Sequence, residues 1–227
     1  MDDILNYLDK ELLNIFIEYA PIKEMYLCGG CLREILIGNR PSKDWDIFVN
    51  CSKDCLDSFL SYLRSFGKVD YGQYGSPRFY PYSNKDIYID IVPFYNFTVS
   101  DKLIDSIEEL LNNFDCTINA LALNLRTGKF YNPVGGLEDL QHKIIKAVRL
   151  DFPEKFVSSS IPLSAVSVFW FRLLHYQNKL HFHFDSRTEE WIIGNKHRLA
   201  DWDLFETYFF VPVISDEMLS KIRWNVY

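Results

Sequence analysis

The amino-acid sequence predicts an α+β protein: a mixed α/β domain over about residues 1–150, followed by a small helical domain at 151–227. Three observations point there. Asp44–Val49 alternates charged and apolar residues, and Ile87–Val92 is an apolar run interrupted by one acid, so both read as strands. Residues 2–19 place Ile4, Leu5, Leu8, Leu12, Ile15, Phe16 and Tyr19 at helical spacing. After Phe152-Pro153 and the Ser158-Ser159-Ser160-Ile161-Pro162 stretch, which read as a connector, the pattern turns helical throughout.

In order, the first domain is expected to hold the helix at 2–19, a strand near 24–27 broken by Gly29-Gly30, and a helix at 31–37 ended by Gly38 with Pro41 just beyond. Next come the strand at 44–49, a helix near 54–66, and strands near 68–72, 77–82 and 86–93. A helix at 101–111 precedes a hairpin of 120–125 and 129–131 turning at Thr127-Gly128, then a helical turn at 137–141 and a strand at 143–148. Helices at 163–177, 187–193, 203–210 and 215–224 make up the second domain, and there are no repeats or low-complexity tracts.

Composition narrows the class. A chain of 227 residues with 48% hydrophobic and 16% aromatic content can bury a sizeable core. A net charge of -7 argues against a protein that coats nucleic acid through a basic surface, though not against a local basic patch or a small RNA acceptor. No apolar run reaches the roughly 18 residues that cross a bilayer. The N-terminus lacks the basic region of a signal peptide, so a cytoplasmic location is expected. Five cysteines, an odd number, argue against a disulfide framework. Cys28-x-x-Cys31 with Cys51-x-x-x-Cys55 mimics a zinc site. Semi-buried thiols are the simpler reading, and zinc would take the Gly29-Gly30 loop away from a ligand.

The chemistry centres on Asp44-Trp45-Asp46. Residues i and i+2 of a strand share a face, so both carboxylates project together, and a divalent cation relieves their repulsion. Nucleotidyl transfer needs such a clamp for the attacking hydroxyl and the triphosphate. Alone, an Asp-x-Asp pair is more often two solvated acids on an edge strand. Fourteen residues before Asp44, Gly30 follows Gly29 at a strand-to-helix junction, where backbone N–H groups can approach a phosphate; Arg33 lies in the first turn of that helix. Asp90, inside the apolar strand pattern, is costly to bury without a metal or a partner, and a third metal ligand is the natural reading. Asp86 reads as a strand-end residue.

Leu27-Cys28-Gly29-Gly30-Cys31-Leu32-Arg33-Glu34 followed by Lys43-Asp44-Trp45-Asp46-Ile47 resembles the signature of class II tRNA nucleotidyltransferases (CCA-adding enzymes) and bacterial poly(A) polymerases, members of the DNA polymerase β-like nucleotidyltransferase superfamily. Asp115-Cys116-Thr117-Ile118-Asn119-Ala120-Leu121-Ala122 is similar to that family's Arg-Arg-Asp-Phe-Thr-Ile-Asn-Ala segment. Asn132-Pro133-Val134-Gly135-Gly136-Leu137-Glu138-Asp139-Leu140, running on to Lys143-Ile144-Ile145, is similar to its next motif. The resemblance covers about residues 24–150 and implies a head domain with a mixed β-sheet flanked by helices. It further implies Asp44, Asp46 and Asp90 as Mg²⁺ ligands and Gly29, Gly30 and Arg33 against the triphosphate of an NTP (ATP or CTP). Asp115 and Asn119 would lie at the sugar and base, with Arg172 matching a later family arginine.

There are departures. Asn113 and Phe114 stand where the family has two arginines, and Glu34 replaces an aspartate. The best match to the base-reading helix, 163–177, has no Glu-Asp pair and carries Phe169 about where the reading arginine belongs. The chain is also too short for the family's tRNA-gripping body and tail. Elsewhere, His181-Phe182-His183 would put two histidines on one face if extended, though a surface strand or turn is the simpler reading. Trp191, Trp202, Trp224, Phe205, Phe209 and Phe210 could stack on bases or pack a helical core, and packing is the expectation. His175 and His197 have no visible partners and receive no role.

The expected function is metal-dependent transfer of a nucleoside monophosphate from an NTP to an RNA 3′ end, tRNA or tRNA-like. Two alternatives remain open: a protein or small-molecule acceptor, and a non-catalytic nucleotide- or RNA-binding derivative. The oligomeric state is open.

Overall fold

The structure, a computed structural model, describes residues 4–38, 43–72, 75–97 and 104–224. It divides into two compact units, one of Met1–Asn113 with Asn119–Gly136, the other of Phe114–Ile118 with Leu137–Tyr227. The second unit begins earlier than the expected boundary near 150. The reason is local: Asp115, Cys116 and Thr117 pair their backbone with 146–148, and the strand at 144–145 pairs with one at 183–184.

The first unit is a seven-stranded sheet with helices. Its strands are β1 (Glu24–Cys28), β2 (Asp44–Asn50), β3 (Gly67–Tyr71), β4 (Pro77–Pro81), β5 (Tyr88–Pro93), β6 (Ala122–Asn124) and β7 (Phe130–Tyr131), in the order β3-β4-β5-β2-β1-β6-β7. All neighbours are antiparallel except β2 and β5. A parallel pair needs a crossover, which α3 (Lys53–Leu63) and the β3–β4 hairpin supply. Gly67 is required where β3 enters that hairpin: a Cβ there would lie 2.2 Å from the Tyr80 carbonyl oxygen. Gly128 turns the β6–β7 hairpin at a φ of 68°, as the Thr127-Gly128 pair predicts.

The expected helix at 2–19 is two pieces, a 3-10 turn at Ile4–Tyr7 and α1 (Lys10–Glu18). Asp9 divides them, because its carboxylate accepts from the Leu12 N–H at 3.1 Å and caps α1. Phe16 packs edge-on against Phe59 and Phe79, tying α1 to α3 and β4. Arg126 donates to the Ile17 and Ile22 carbonyls at 2.6 and 2.9 Å and also to that of Tyr19. The helix expected at 101–111 is α4 (Ile107–Leu111), capped by Ser106; residues 101–103, like Pro41, lie outside the described residues.

The second unit is built on α6 (Ala165–Leu180), which begins at its cap Ser164 and ends at His181 in the left-handed region, φ 54°. Around it stand α5 (Gly136–His142), α7 (Ser186–Gly194), α8 (Trp202–Tyr208) and α9 (Asp216–Trp224). The stretch expected as a connector forms a hairpin, β9 (Phe156–Ser158) with β10 (Ile161–Ser164). β8 (Ile144–Ile145) pairs in parallel with β11 (His183–Phe184), and His181 and His183 are exposed there. Of the aromatics expected to pack, Trp191, Trp202, Phe205, Phe209 and Phe210 do so. Phe171 stacks on Phe205 at 4.7 Å and meets Trp202 at 6.0 Å, and the buried Trp170 indole donates to the Ile192 carbonyl at 3.0 Å. Trp224's side chain lies outside what the structure describes. Among the described residues no helix is long and apolar enough to cross a membrane.

Candidate active site

β2 positions the acidic pair. Trp45 and Ile47 are buried on one side of the strand; Asp44 is exposed and Asp46 half-buried on the other, as strand alternation requires. The parallel register sets Asp46 directly beside Asp90 on β5, and Asp44 beside Tyr88. The three carboxylates therefore line one patch of the sheet. Tyr88 registers them: burial raises its phenol pKa, and Asp44, Asp90 and Asp46 raise it further, while Arg78 opposes them.

Asp90 has a partner. Arg78 lies directly opposite it on β4 and donates from Nε to Oδ1 and from Nη2 to Oδ2, each at 2.7 Å. The side chains are 28% and 21% exposed, so the fork is largely shielded from solvent, and Asp90 raises the guanidinium pKa. Arg78 also covers the Tyr88 ring at 4.3 Å. Asp44 and Asp46 are the hard oxygen donors a divalent cation takes, but Asp90 is engaged by a guanidinium. Among the described residues no group of three or more His, Cys, Asp or Glu is arranged to hold a metal. The register thus brings the three acids to one patch of the sheet, with Asp90 held by Arg78.

The glycine loop is as sharp as expected. Gly29 caps α2 (Gly30–Leu36) with φ 75° and ψ -139°, a conformation open to glycine alone, and its N–H donates to the Leu121 carbonyl at 3.3 Å. Arg33 is buried. It donates to the Asn119 side-chain oxygen, and from Nη2 to Glu34 at 2.8 Å. Two sequence blocks thereby converge at one guanidinium.

In the second unit, Asp115 and Arg172 pair with each other. Arg172 donates from Nε and Nη2 to Asp115 Oδ2 at 3.0 and 2.7 Å, and from Nη2 to the Tyr176 hydroxyl at 2.7 Å. The buried Thr117 hydroxyl donates to Asp139 at 2.5 Å. Phe169 is buried between Phe152 and Trp191, with ring centroids at 4.2 and 5.1 Å. The cysteines are free thiols, Cys28, Cys31 and Cys116 buried and Cys51 and Cys55 half-buried.

A family model described as Gabija anti-defense 2 family protein matches residues 3–143, well over half of the chain and all of the acidic patch and glycine loop. The chain belongs to the Gabija anti-defense 2 family. This member is also related to tRNA nucleotidyltransferases. It is 29% identical over 184 residues to a CCA-adding enzyme of Lactobacillus delbrueckii subsp. bulgaricus, covering 78% of this chain and 42% of the relative. With a Streptococcus uberis CCA-adding enzyme it shares 30% over 131 residues, 55% of this chain and 31% of the relative. Among solved structures, a CCA-adding enzyme in an apo form superposes with a TM-score of 0.66 at 20% identity, over 97% of this chain and 53% of the other. A Thermotoga maritima CCA-adding enzyme complexed with tRNA gives 0.62 at 21%, over 96% and 48%. The Gabija anti-defense 2 member therefore has the α+β fold of CCA-adding enzymes, and spans under half the length of the curated relatives it matches.

Sequence reading missed Arg78 and Tyr176. Arg78 sits between Pro77 and Phe79 in a strand, a charge in an apolar setting, but only the β4–β5 register reveals its partner. Tyr176 stands one helical turn after Arg172, so i,i+4 spacing could have found it.

Proposed function

We propose that this protein is a metal-dependent nucleotidyltransferase that moves a nucleoside monophosphate from an NTP to an RNA 3′ end, tRNA or tRNA-like. The observation that carries the reading is the alignment of Asp44 and Asp46 beside Asp90 in a fold shared with CCA-adding enzymes, one of which is described with CTP and another with ATP. In this reading the acceptor oxygen attacks the α-phosphorus and pyrophosphate leaves. Asp44 and Asp46 would hold the magnesium, which would supply positive charge to that hydroxyl and to the triphosphate. Gly30 lets the backbone come close to the phosphates. Arg33, already held by an anionic oxygen of Glu34, reaches a phosphate by exchanging one oxygen for another. The sugar and base contacts expected of Asp115 and Asn119 belong to the same proposal.

A second reading keeps the chemistry and changes the acceptor to a protein. It is favoured by the family's description as Gabija anti-defense. One experiment separates the readings. Protein, Mg²⁺, each labelled NTP and total RNA are incubated together, with Asp44→Ala and Asp46→Ala as controls. Labelled RNA that disappears in both variants supports the first reading, and labelled protein supports the second. Absence of any label, with measurable NTP binding, would point to a non-catalytic derivative.

A further inference from the structure

We propose that Arg78 is a resident counter-ion of the acidic patch, holding Asp90 in place of a divalent metal ion, so that a second cation binds between Asp46 and Asp90 only by displacing it. This rests on the metal reading of Asp44 and Asp46.

The fork engages both oxygens of the carboxylate. Both oxygens of Asp90 accept at 2.7 Å, the short end of charge-assisted geometry. The guanidinium is also pre-positioned. Its Cα faces that of Asp90 across β4–β5, and it covers the Tyr88 ring at 4.3 Å. A divalent ion approaching Asp90 meets a fixed positive charge at van der Waals range, in a partly shielded setting where such repulsion is strong. Arginine does not deprotonate to make way. The third acid is thus neutralised by the protein itself.

The test measures Mn²⁺ binding to the full chain directly, by loss of the free-ion paramagnetic resonance signal, for wild type, Asp44→Asn, Asp46→Asn, Arg78→Gln, Arg78→Lys and Arg78→Gln combined with Asp46→Asn. Arg78→Gln is expected to bind Mn²⁺ about tenfold more tightly, or to gain a site, because the like charge is gone. Mn²⁺ should also raise its melting temperature more than that of wild type, by replacing the lost countercharge. Arg78→Lys, which keeps the charge without the fork, should fall between the two and serves if the glutamine variant does not fold. Adding Asp46→Asn should abolish the gain. Equal or weaker binding in both Arg78 variants would overturn the proposal, as it would mean that Arg78 merely orients Asp90. If no variant binds Mn²⁺, or if Asp44→Asn and Asp46→Asn bind as well as wild type, the metal reading fails, and this proposal fails with it.

Discussion

Arg33 and Asn119, 86 residues apart in the chain, are joined by a buried hydrogen bond from the guanidinium to the amide oxygen. The bond fixes the helix after the glycine loop to the segment leading into β6. Asn119→Ala removes the acceptor and leaves a buried donor short of one partner, so it should cost about 1–3 kcal/mol. The urea midpoint of unfolding should fall accordingly, with the slope unchanged.

Gly67 is held by steric room. Gly67→Ala would drive a methyl group into the Tyr80 carbonyl and the Phe79 ring, both within 2.5 Å of the added carbon. β3 would have to separate from β4, at a cost of about 1–3 kcal/mol, the range of an overpacked interior. The expected result is a lower melting temperature with faster amide exchange in β3 and β4. Unchanged exchange in those strands would contradict it.

Cys51 gives the protein an alkaline limit. Burial pushes its thiol pKa up to about 11, and the neighbouring Cys55 thiol adds to the effect. The folded state therefore holds this proton more tightly than the unfolded chain, whose thiol titrates near about 8.5. The contribution to stability is complete below that unfolded value and is lost as pH rises through the folded one. Cys51→Ser, which does not ionise, should show a shallower decline in melting temperature between about pH 9 and about pH 11. In the wild type, alkylation of Cys51 should be slow at neutral pH and accelerate across the same interval.

Phe169 fills the core beneath α6. Phe169→Ala should cost about 3–5 kcal/mol through the cavity it leaves. Phe169→Arg, which writes in the residue expected of a base-reading helix, should be at least as damaging, since it buries a charge among Phe152 and Trp191. Circular-dichroism melts of both variants check this; a stable arginine variant would show that the position can turn outward.

The strands carrying the acids were legible because alternation reports directly on which side of a sheet is buried: Trp45 and Ile47 in, Asp44 and Asp46 out. The glycine loop and its ordered companion motifs were legible because local geometry there dictates residue type, as Gly29 demonstrates. Pairings between distant residues were not. Asp90 was read as needing a metal or a partner, and choosing Arg78 required the β4–β5 register, which the chain writes nowhere locally. The β9–β10 hairpin was hidden by composition, since Ser158-Ser159-Ser160-Ile161-Pro162 resembles a linker; Pro162 is tolerated as an exposed residue of a two-stranded sheet. Asp9 interrupts the first helix without disturbing the apolar spacing, so periodicity alone joined two elements that a capping side chain divides.

The packing of Phe169 has a consequence for how this protein handles information. Nucleobases differ from one another chiefly in the pattern of donors and acceptors along their edges. A ring enclosed by Phe152 and Trp191 presents no such pattern, so this site on α6 transmits no message about which base is present. What the ring supplies at this point of α6 is cohesion, and a vocabulary of bases would have to be spelled by other residues.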